Sequence, residues 1–209
     1  MHRDHSLHAR YVQELPFRLT AAQERVLGEI LADLESGHWM QRLVLGDVGA
    51  GKTVLAVAAL LAAVGNGLQG AFLAPTEGLA LQHAERLVVP CAALGVRLGV
   101  LVGAMSEREK AETRGRIASG DVDLVVGTHA LLREGQEWKA LGLVVIDEEQ
   151  RFGVAQKERL KQLKRQIHVL ALSATPVPRT LQFSLAGVRD LSVIETPPRD
   201  RMAVETAIL

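Results

Sequence analysis

Short apolar runs recur along this sequence, and each precedes a longer segment whose apolar positions have helical spacing. The first run, 41–45, is followed by an Ala- and Leu-rich segment over 51–64. Continuously apolar runs are typical of strands that are buried on both faces of a parallel sheet. Further strands are predicted at 71–74, 97–102, 122–126, 143–146 and 168–172, with helices over 79–93 and from Ser106 onward. The pattern predicts a doubly wound α/β fold, in which a mostly parallel sheet carries helices on both faces.

Two helix starts can be read from their capping residues. Ser106 is followed by Glu109 at the third helical position, which is the signature of a capping box. Thr20 is of a residue type that caps helix N-termini, so a helix is predicted to begin just after Thr20. Gln23 is therefore expected in the first turn of a helix that precedes the first strand.

The two ends of the chain depart from the alternating pattern. Residues 1–14 are polar and contain several histidines, which predicts a tail with little regular structure. Residues 195–209 combine Pro197-Pro198 with charged neighbours, which predicts a linker leaving the domain. The expected organisation is a single folded unit over 15–194 with an extension at each end.

The composition is that of a folded protein rather than a disordered or fibrous one. The chain has 209 residues, 48% of them hydrophobic, and its 24 basic residues balance its 24 acidic ones. This balance excludes a chain that is basic throughout, although it is compatible with a local basic patch. Cys91 is the single cysteine, which excludes an internal disulfide and a multi-cysteine zinc site. The longest apolar run, 54–64, is short of the about 20 residues of a membrane span, so a cytoplasmic protein with no membrane partner is predicted.

A glycine-rich segment between the first strand and its helix has the chemistry of a phosphate-binding loop. The sequence from 46 to 53 fits G-x-x-x-x-G-K-[ST] in the strand–loop–helix context that this motif requires. Lys52 is expected to reach the β- and γ-phosphates of a nucleotide, and the Thr53 hydroxyl to bind Mg²⁺. A glycine-rich turn that binds nothing is the disfavoured alternative, because strand, loop and helix signals agree. The predicted phosphate-binding residues are Gly46, Gly49, Ala50, Gly51, Lys52 and Thr53.

Two carboxylates end the apolar run at 143–146. Ligands of parallel α/β sheets bind at the carboxyl ends of the strands, so Asp147 and Glu148 are expected near the phosphate loop. Asp147 is then the second Mg²⁺ ligand, and Glu148 the general base that activates the attacking water. The alternative is an acidic surface turn without a catalytic role, and the presence of a phosphate loop makes this alternative less favoured. The predicted catalytic set is Lys52, Asp147 and Glu148.

Together the strand-end residues resemble the motifs of superfamily 2 helicases and translocases. Residues 147–150, Asp-Glu-Glu-Gln, are similar to their DExx box. The resemblance to motifs Ia, Ib and III lies in Ala74-Pro75-Thr76, Gly127-Thr128-His129 and Ser173-Ala174-Thr175. These motifs occur in the family order and at predicted strand ends, and the resemblance covers 15–208.

Within this superfamily the chain resembles the RecG/Mfd branch of double-stranded DNA translocases. The segment 15–132 looks most like RecG, the replication-fork remodelling helicase, whereas 144–207 looks more like Mfd, the transcription-repair coupling factor. An engineered fusion and a divergent member of the branch would both give this mixture.

The resemblance implies a motor of two RecA-like P-loop NTPase lobes with ATP and Mg²⁺ in the cleft between them. This chain would be the first lobe, and 195–209 the linker toward a second lobe that supplies arginine fingers. An arginine finger is worth about 10³–10⁵ in rate in GTPases, so the chain is expected to be nearly inactive alone. The implied partners are double-stranded or branched DNA, and RNA polymerase if the chain is Mfd-like, in the bacterial cytoplasm.

The resemblance also assigns roles outside the phosphate loop. Phe17 and Gln23 match the Q motif, and a glutamine amide can pair with both N6 and N7 of adenine. From spacing alone, the same two residues would be a core phenylalanine beside a helix cap. The remaining residues are the DNA contacts Pro75, Thr76, Thr128 and His129, and the coupling residues Gln150, Ser173 and Thr175.

Two other classes of function stay open at this point. The chain could be a non-catalytic nucleotide-binding or interaction module derived from such a motor, which turnover with and without a second lobe would distinguish. It could also be an unrelated P-loop ATPase, against which the absence of a transporter-type signature after the phosphate loop argues.

Overall fold

Seven strands and five α-helices lie in the described part of a computed structural model, which covers residues 6–132, 135–152, 166–174 and 190–195. The strands are β1 (Gln41–Gly46), β2 (Gln69–Leu73), β3 (Leu98–Leu101), β4 (Leu124–Gly127), β5 (Leu141–Asp147), β6 (His168–Ser173) and β7 (Asp190–Ile194). The helices are α1 (Leu7–Gln13), α2 (Ala21–Glu35), α3 (Lys52–Gly65), α4 (Glu77–Ala93) and α5 (Glu107–Ser119). Short 3₁₀ turns follow β4 and β5, at His129–Leu132 and Glu149–Arg151.

The strands form one sheet in the order β3-β4-β2-β5-β6-β1-β7, and every described pair is parallel. Because parallel strands share a direction, their carboxyl ends all lie at one edge of the sheet. The residues that follow β1, β2, β4, β5 and β6 therefore meet at this edge. The prediction of a parallel α/β sheet is confirmed.

Helices cover both faces of the sheet, because successive apolar residues of a strand point to opposite faces and both must be buried. On β5, Val145 packs into the larger apolar core with residues of α1, α2, α3 and α4. Its neighbours Val144 and Ile146 pack into a second core with Ile117 of α5. Side chains on successive strand residues point to opposite faces, so the two cores lie on opposite sides of the sheet.

The helix that starts at the phosphate loop, α3, is buried at twelve of its fourteen positions. It lies against strands β1, β2, β5 and β6 and is covered by α1 and α2. Alanine at many positions allows the close approach of these neighbours. Although α3 is so apolar, no helix within the described ranges combines the length and hydropathy needed to cross a membrane.

Both ends of the folded unit differ from the sequence-based expectation. Residues 7–13 form α1, which packs on α3 with Leu7 buried, so the expectation of a tail with little structure is wrong there. Residues 190–194 form β7, an edge strand beside β1 that the apolar pattern did not predict. The predicted linker lies outside the described residues from 196 onward.

A buried charge network ties α2 to the edge strand. Arg42 of β1 donates to Asp33 at 2.6 Å, to Glu29 at 3.3 Å and to the Ser192 hydroxyl of β7 at 2.7 Å. Burial alone would raise the pKa of Glu29, but hydrogen bonds from Ser192 and Arg25 and the nearby guanidinium charges lower it. Glu29 therefore stays ionised and holds β7 in place through Ser192.

Replacing Arg42 with methionine is expected to lower the free energy of unfolding by about 3 kcal/mol, because Asp33 and Glu29 would lose their shared cation in a partly buried place. Urea unfolding measures the change. The control is Arg86→Met on the exposed side of α4, expected to stay within about 0.5 kcal/mol. Equal stability of the Arg42 variant and the wild type would contradict this account.

Candidate nucleotide-binding site

The loop between β1 and α3 has the backbone that its glycines were expected to allow. Gly49 and Gly51 have φ values of 84° and 83°, a left-handed conformation that residues with a Cβ rarely adopt. A Cβ on Gly51 would also lie 2.3 Å from the Gln23 amide nitrogen. Gly51 is thus required both by its conformation and by the packing of Gln23, and α3 begins directly after it.

Lys52 lies against the loop that it follows. Its Nζ donates to the carbonyl oxygens of Gly46 at 2.6 Å and Asp47 at 2.9 Å. Burial lowers the pKa of Lys52, and the charges of Glu148, Asp147 and Asp47 oppose that shift. The lysine charge and the two predicted catalytic carboxylates therefore share one electrostatic environment, although nearly a hundred positions separate them in the sequence.

Asp147 is the last residue of β5 and is joined to α4. Its Oδ2 lies 3.1 Å from Nε2 of His83, a buried histidine whose ring packs on Phe72. About 16% of the Asp147 side chain is exposed. Thr53, the second residue of α3, is half-buried near the end of β1.

Thr53 and Asp147 suit a magnesium ion chemically. Hydroxyl and carboxylate oxygens are the hard ligands that Mg²⁺ prefers, and it usually takes only one or two carboxylates, with phosphates and water completing the shell. No cluster of three or more His, Cys, Asp or Glu side chains that could hold a metal is found in the described ranges. The hydroxyl of Thr53 and the carboxylate of Asp147 are of the ligand types that Mg²⁺ takes, and their role in holding it stays a prediction.

Glu148 has the only positive φ, 51°, among the described residues other than glycine. Such backbone strain is often found where a side chain must be aimed precisely at a functional site. The backbone N–H of Glu148 donates to Leu172 of β6, and its carboxylate accepts from the Ala174 N–H at 3.3 Å. The Gln150 amide donates to the other carboxylate oxygen. Glu148 is thus joined to both Gln150 and the segment after β6.

This arrangement brings Gln150 and the third motif to the same carboxylate. Ser173 is the last residue of β6 and pairs with Leu45 of β1 next to the phosphate loop. Ala174, which bonds Glu148, directly follows it. Thr175, the third predicted coupling residue, lies outside the described residues.

The predicted adenine residues lie on and before α2. Thr20 caps α2 as the sequence indicated, and the structure adds the return bond from Gln23 that completes a capping box. The Gln23 amide also donates to the Ala50 carbonyl at 2.9 Å. Each end of this amide thus makes one bond inside the protein, and each retains the capacity for a second bond. Phe17 is 49% exposed and lines an open, largely apolar groove of about 650 Å³. The adenine role of both residues stays a prediction.

The four predicted DNA contacts lie at the same sheet edge but differ in access. Thr76 is exposed and caps α4, with Pro75 half-buried beside it, and His129 is exposed after β4. Thr128 is only 1% exposed, and its hydroxyl has no hydrogen-bond partner in the described ranges. Its N–H donates to Leu101. Thr76 and His129 are therefore accessible at this edge and Pro75 partly so, whereas Thr128 is not, and the DNA role of all four stays a prediction.

Sequence reasoning missed His83. The position of His83 in the sequence could have indicated its role, because it lies on the inward face of α4 with Ala80, Ala84 and Leu87. A histidine among small and apolar residues at helical spacing indicates a buried polar partner. Nothing local identified that partner as Asp147, which is 64 positions away.

A phosphate loop, a strand-end carboxylate pair and a parallel sheet define a P-loop nucleotide-binding lobe. A family model described as "DEAD/DEAH box helicase" matches residues 20–183, more than half of the chain. The chain therefore belongs to the DEAD/DEAH box helicase family. The recognition from sequence of a first lobe of the RecG/Mfd branch is confirmed by the relatives that follow.

Curated relatives of the chain include bacterial transcription-repair-coupling factors. The one from Staphylococcus epidermidis (strain RP62A) is 48% identical over 199 residues, which are 95% of this chain and 17% of that protein. The one from Bacillus subtilis (strain 168) is 45% identical over 206 residues, 99% of this chain and 18% of that protein. The chain thus spans less than a fifth of the length of these relatives.

Solved structures give the same fold. A structure described as RecG bound to a three-way DNA junction has a TM-score of 0.82 and 38% identity, covering 95% of this chain and 27% of that one. The DEAD-box helicase Mss116, bound to single-stranded RNA, has a TM-score of 0.67 and 18% identity, covering 92% of this chain and 44% of its own. At that identity the second likeness concerns the fold alone.

Proposed function

We propose that this chain is the ATP-binding motor lobe of an ATP-dependent double-stranded DNA translocase or helicase, acting in fork remodelling or in transcription-repair coupling. One observation carries the proposal. Lys52 stands at the phosphate loop after β1, and the Glu148 carboxylate after β5 bonds Ala174, which directly follows the residue of β6 that pairs with Leu45 of β1. Phosphoryl transfer depends on such a positive charge and carboxylates converging on one place.

Each residue has a distinct task in this proposal. The loop backbone and Lys52 bind the phosphates, and Thr53 and Asp147 hold Mg²⁺, which neutralises phosphate charge when bound. Glu148 accepts a proton from the attacking water, since its strained backbone and the bond from Ala174 fix its direction. The bond to residue 174 also gives the site a route to the segment containing the predicted coupling residues.

The chain alone is expected to bind ATP in the presence of Mg²⁺ but to hydrolyse it slowly. The family motor takes its arginine from a second lobe, and the absence of an arginine finger costs about 10³–10⁵ in rate in GTPases. Titration of a fluorescent ATP analogue, with Mg²⁺ and then with EDTA, measures binding, and release of labelled phosphate measures turnover. Turnover at the rate of a complete motor, stimulated by DNA, would contradict the expectation.

The same measurements address the alternative of a non-catalytic module. Adding the second lobe as a separate polypeptide should raise turnover if the chain is a motor lobe, and leave it unchanged if the chain only binds nucleotide. A preference for ATP over GTP supports the adenine role of Phe17 and Gln23. Equal affinity for the two nucleotides would argue against that role.

Double-stranded or branched DNA is the proposed partner of the edge that carries Pro75, Thr76, Thr128 and His129. The RecG relative, described as bound to a three-way DNA junction, supports this choice. RNA polymerase is proposed as a further partner of the whole protein because the curated relatives are transcription-repair-coupling factors. The bacterial organisms of those relatives fit the expected place in the bacterial cytoplasm.

A further inference from the structure

The roles proposed for the nucleotide site leave the pairing of His83 with Asp147 unexplained. His83 lies on α4 with 6% of its surface exposed, and its Nε2 is 3.1 Å from Asp147 Oδ2. Its ring packs on Phe72 of β2, with the ring centroids 4.5 Å apart. The imidazole is thus fixed against the sheet and bonded to a carboxylate at the edge of the candidate nucleotide site.

The chemistry of the pair decides which atom donates. An ionised carboxylate only accepts hydrogen bonds, so Nε2 of His83 carries the proton and donates to Oδ2 of Asp147. The bond restrains rotation of the carboxyl group about its last side-chain torsion. Carboxylates that bind metals are commonly oriented by such outer partners, whose loss typically lowers metal affinity about 10- to 100-fold.

A core histidine with a merely structural role is the competing explanation. The inward neighbours of His83 on α4, Ala80, Ala84 and Leu87, are small or apolar, so packing alone would favour another apolar residue there. The partner of His83 is not a core carbonyl but the side chain that ends β5 beside Glu148. Position and partner both connect His83 to the nucleotide site.

We infer that His83 is a positioning residue for Asp147, holding the carboxylate in the orientation used to bind magnesium with the nucleotide. This inference rests on the proposed function. His83 acts through Asp147 and touches neither the nucleotide nor the metal. The same bond joins α4, which is capped by the predicted DNA contact Thr76, to the predicted magnesium ligand.

The test compares variants that keep or lose the donor. His83→Phe keeps an aromatic ring on Phe72 but cannot donate, whereas His83→Gln supplies an amide N–H. The measured quantity is the affinity of the whole chain for a fluorescent ATP analogue, first in Mg²⁺ and then in EDTA. We expect His83→Phe to weaken the affinity in Mg²⁺ about 10-fold and leave that in EDTA within about twofold, and His83→Gln to recover most of the loss.

A packing control separates positioning from general damage to α4. Leu87→Val removes a methylene from the same face of the helix without contact to Asp147, and thermal unfolding shows whether it is destabilised as much as His83→Phe. We expect this control to keep the Mg²⁺-dependent affinity of the wild type. If His83→Phe does not fold, His83→Met takes its place, since methionine adapts its shape to the cavity and also lacks a donor.

The outcomes are distinct. Unchanged Mg²⁺-dependent affinity in His83→Phe, or an equal loss in Leu87→Val, overturns the positioning role and leaves the proposed function intact. A wild-type chain whose nucleotide affinity does not depend on Mg²⁺ overturns the proposed function and the inference with it. Loss in His83→Phe with recovery in His83→Gln supports the inference.

Discussion

Replacing Lys52 with alanine is expected to weaken ATP binding by this chain about 100-fold, which corresponds to about 2.7 kcal/mol. The wild-type Nζ already bonds two loop carbonyls, and the charges of Glu148, Asp147 and Asp47 act on it. The variant would meet the nucleotide phosphates with those negative charges uncompensated. Titration of a fluorescent ATP analogue in Mg²⁺ measures the loss.

The matched control for this prediction is Lys139→Ala. Lys139 is exposed and lies just before β5, at the end of that strand opposite to Asp147. This control removes the same charge from the chain and should keep wild-type affinity within about twofold. If the Lys52 variant is folded by circular dichroism and still binds ATP as tightly as the wild type, the phosphate loop is not the nucleotide site.

Replacing Glu148 with glutamine is expected to lower ATP turnover about 10²- to 10⁴-fold while leaving ATP binding within about threefold. Glutamine keeps the size of the side chain but cannot take the proton of the attacking water. In the wild type, Ala174 and Gln150 both donate to this carboxylate. Glutamine at position 148 has only one side-chain oxygen to accept these bonds, so the variant should be slightly less stable. Phosphate release should be followed with the second lobe supplied, where wild-type turnover is high enough to show the difference.

Glu112→Gln serves as the control for this charge change. Glu112 is exposed on α5, and its replacement should leave both turnover and binding at wild-type values. Turnover by the Glu148 variant at more than about half the wild-type rate would assign the general base to another group. Loss of nucleotide binding together with turnover would point to a binding role for Glu148 instead.

The sequence was sufficient for the features that depend on neighbouring residues. The phosphate loop could be predicted because glycines, lysine and threonine must follow a strand and open a helix within a few positions. The helix cap at Thr20 and the capping box of Ser106–Glu109 were equally local, and the structure confirms both. The continuous apolar runs gave the strands for the same reason, since burial on both faces leaves no polar position to interrupt them.

Features made by distant contacts could not be read in this way. In α1, Leu7 is buried and Tyr11 and Val12 pack partly against the core, but these few apolar positions did not predict a helix without its contact with α3. The strand β7 has partly exposed residues because it lies at the sheet edge, and a bond between the Arg42 and Ser192 side chains accompanies its pairing with β1. The His83–Asp147 bond joins residues that are far apart in the sequence, and no periodic pattern of residues indicates it.

The burial of α3 on nearly all sides decides how nucleotide binding can be followed by spectroscopy. A dye or spin label placed within this helix would displace a packed neighbour, so a reporter must sit on the loop before it. Val48 is 70% exposed there. Cys91, the only native thiol, is buried, and burial with the nearby Asp123 charge raises its pKa to about 11, which makes it unreactive near neutral pH. A Val48→Cys chain could therefore be labelled at one position on the phosphate loop without first removing the native cysteine.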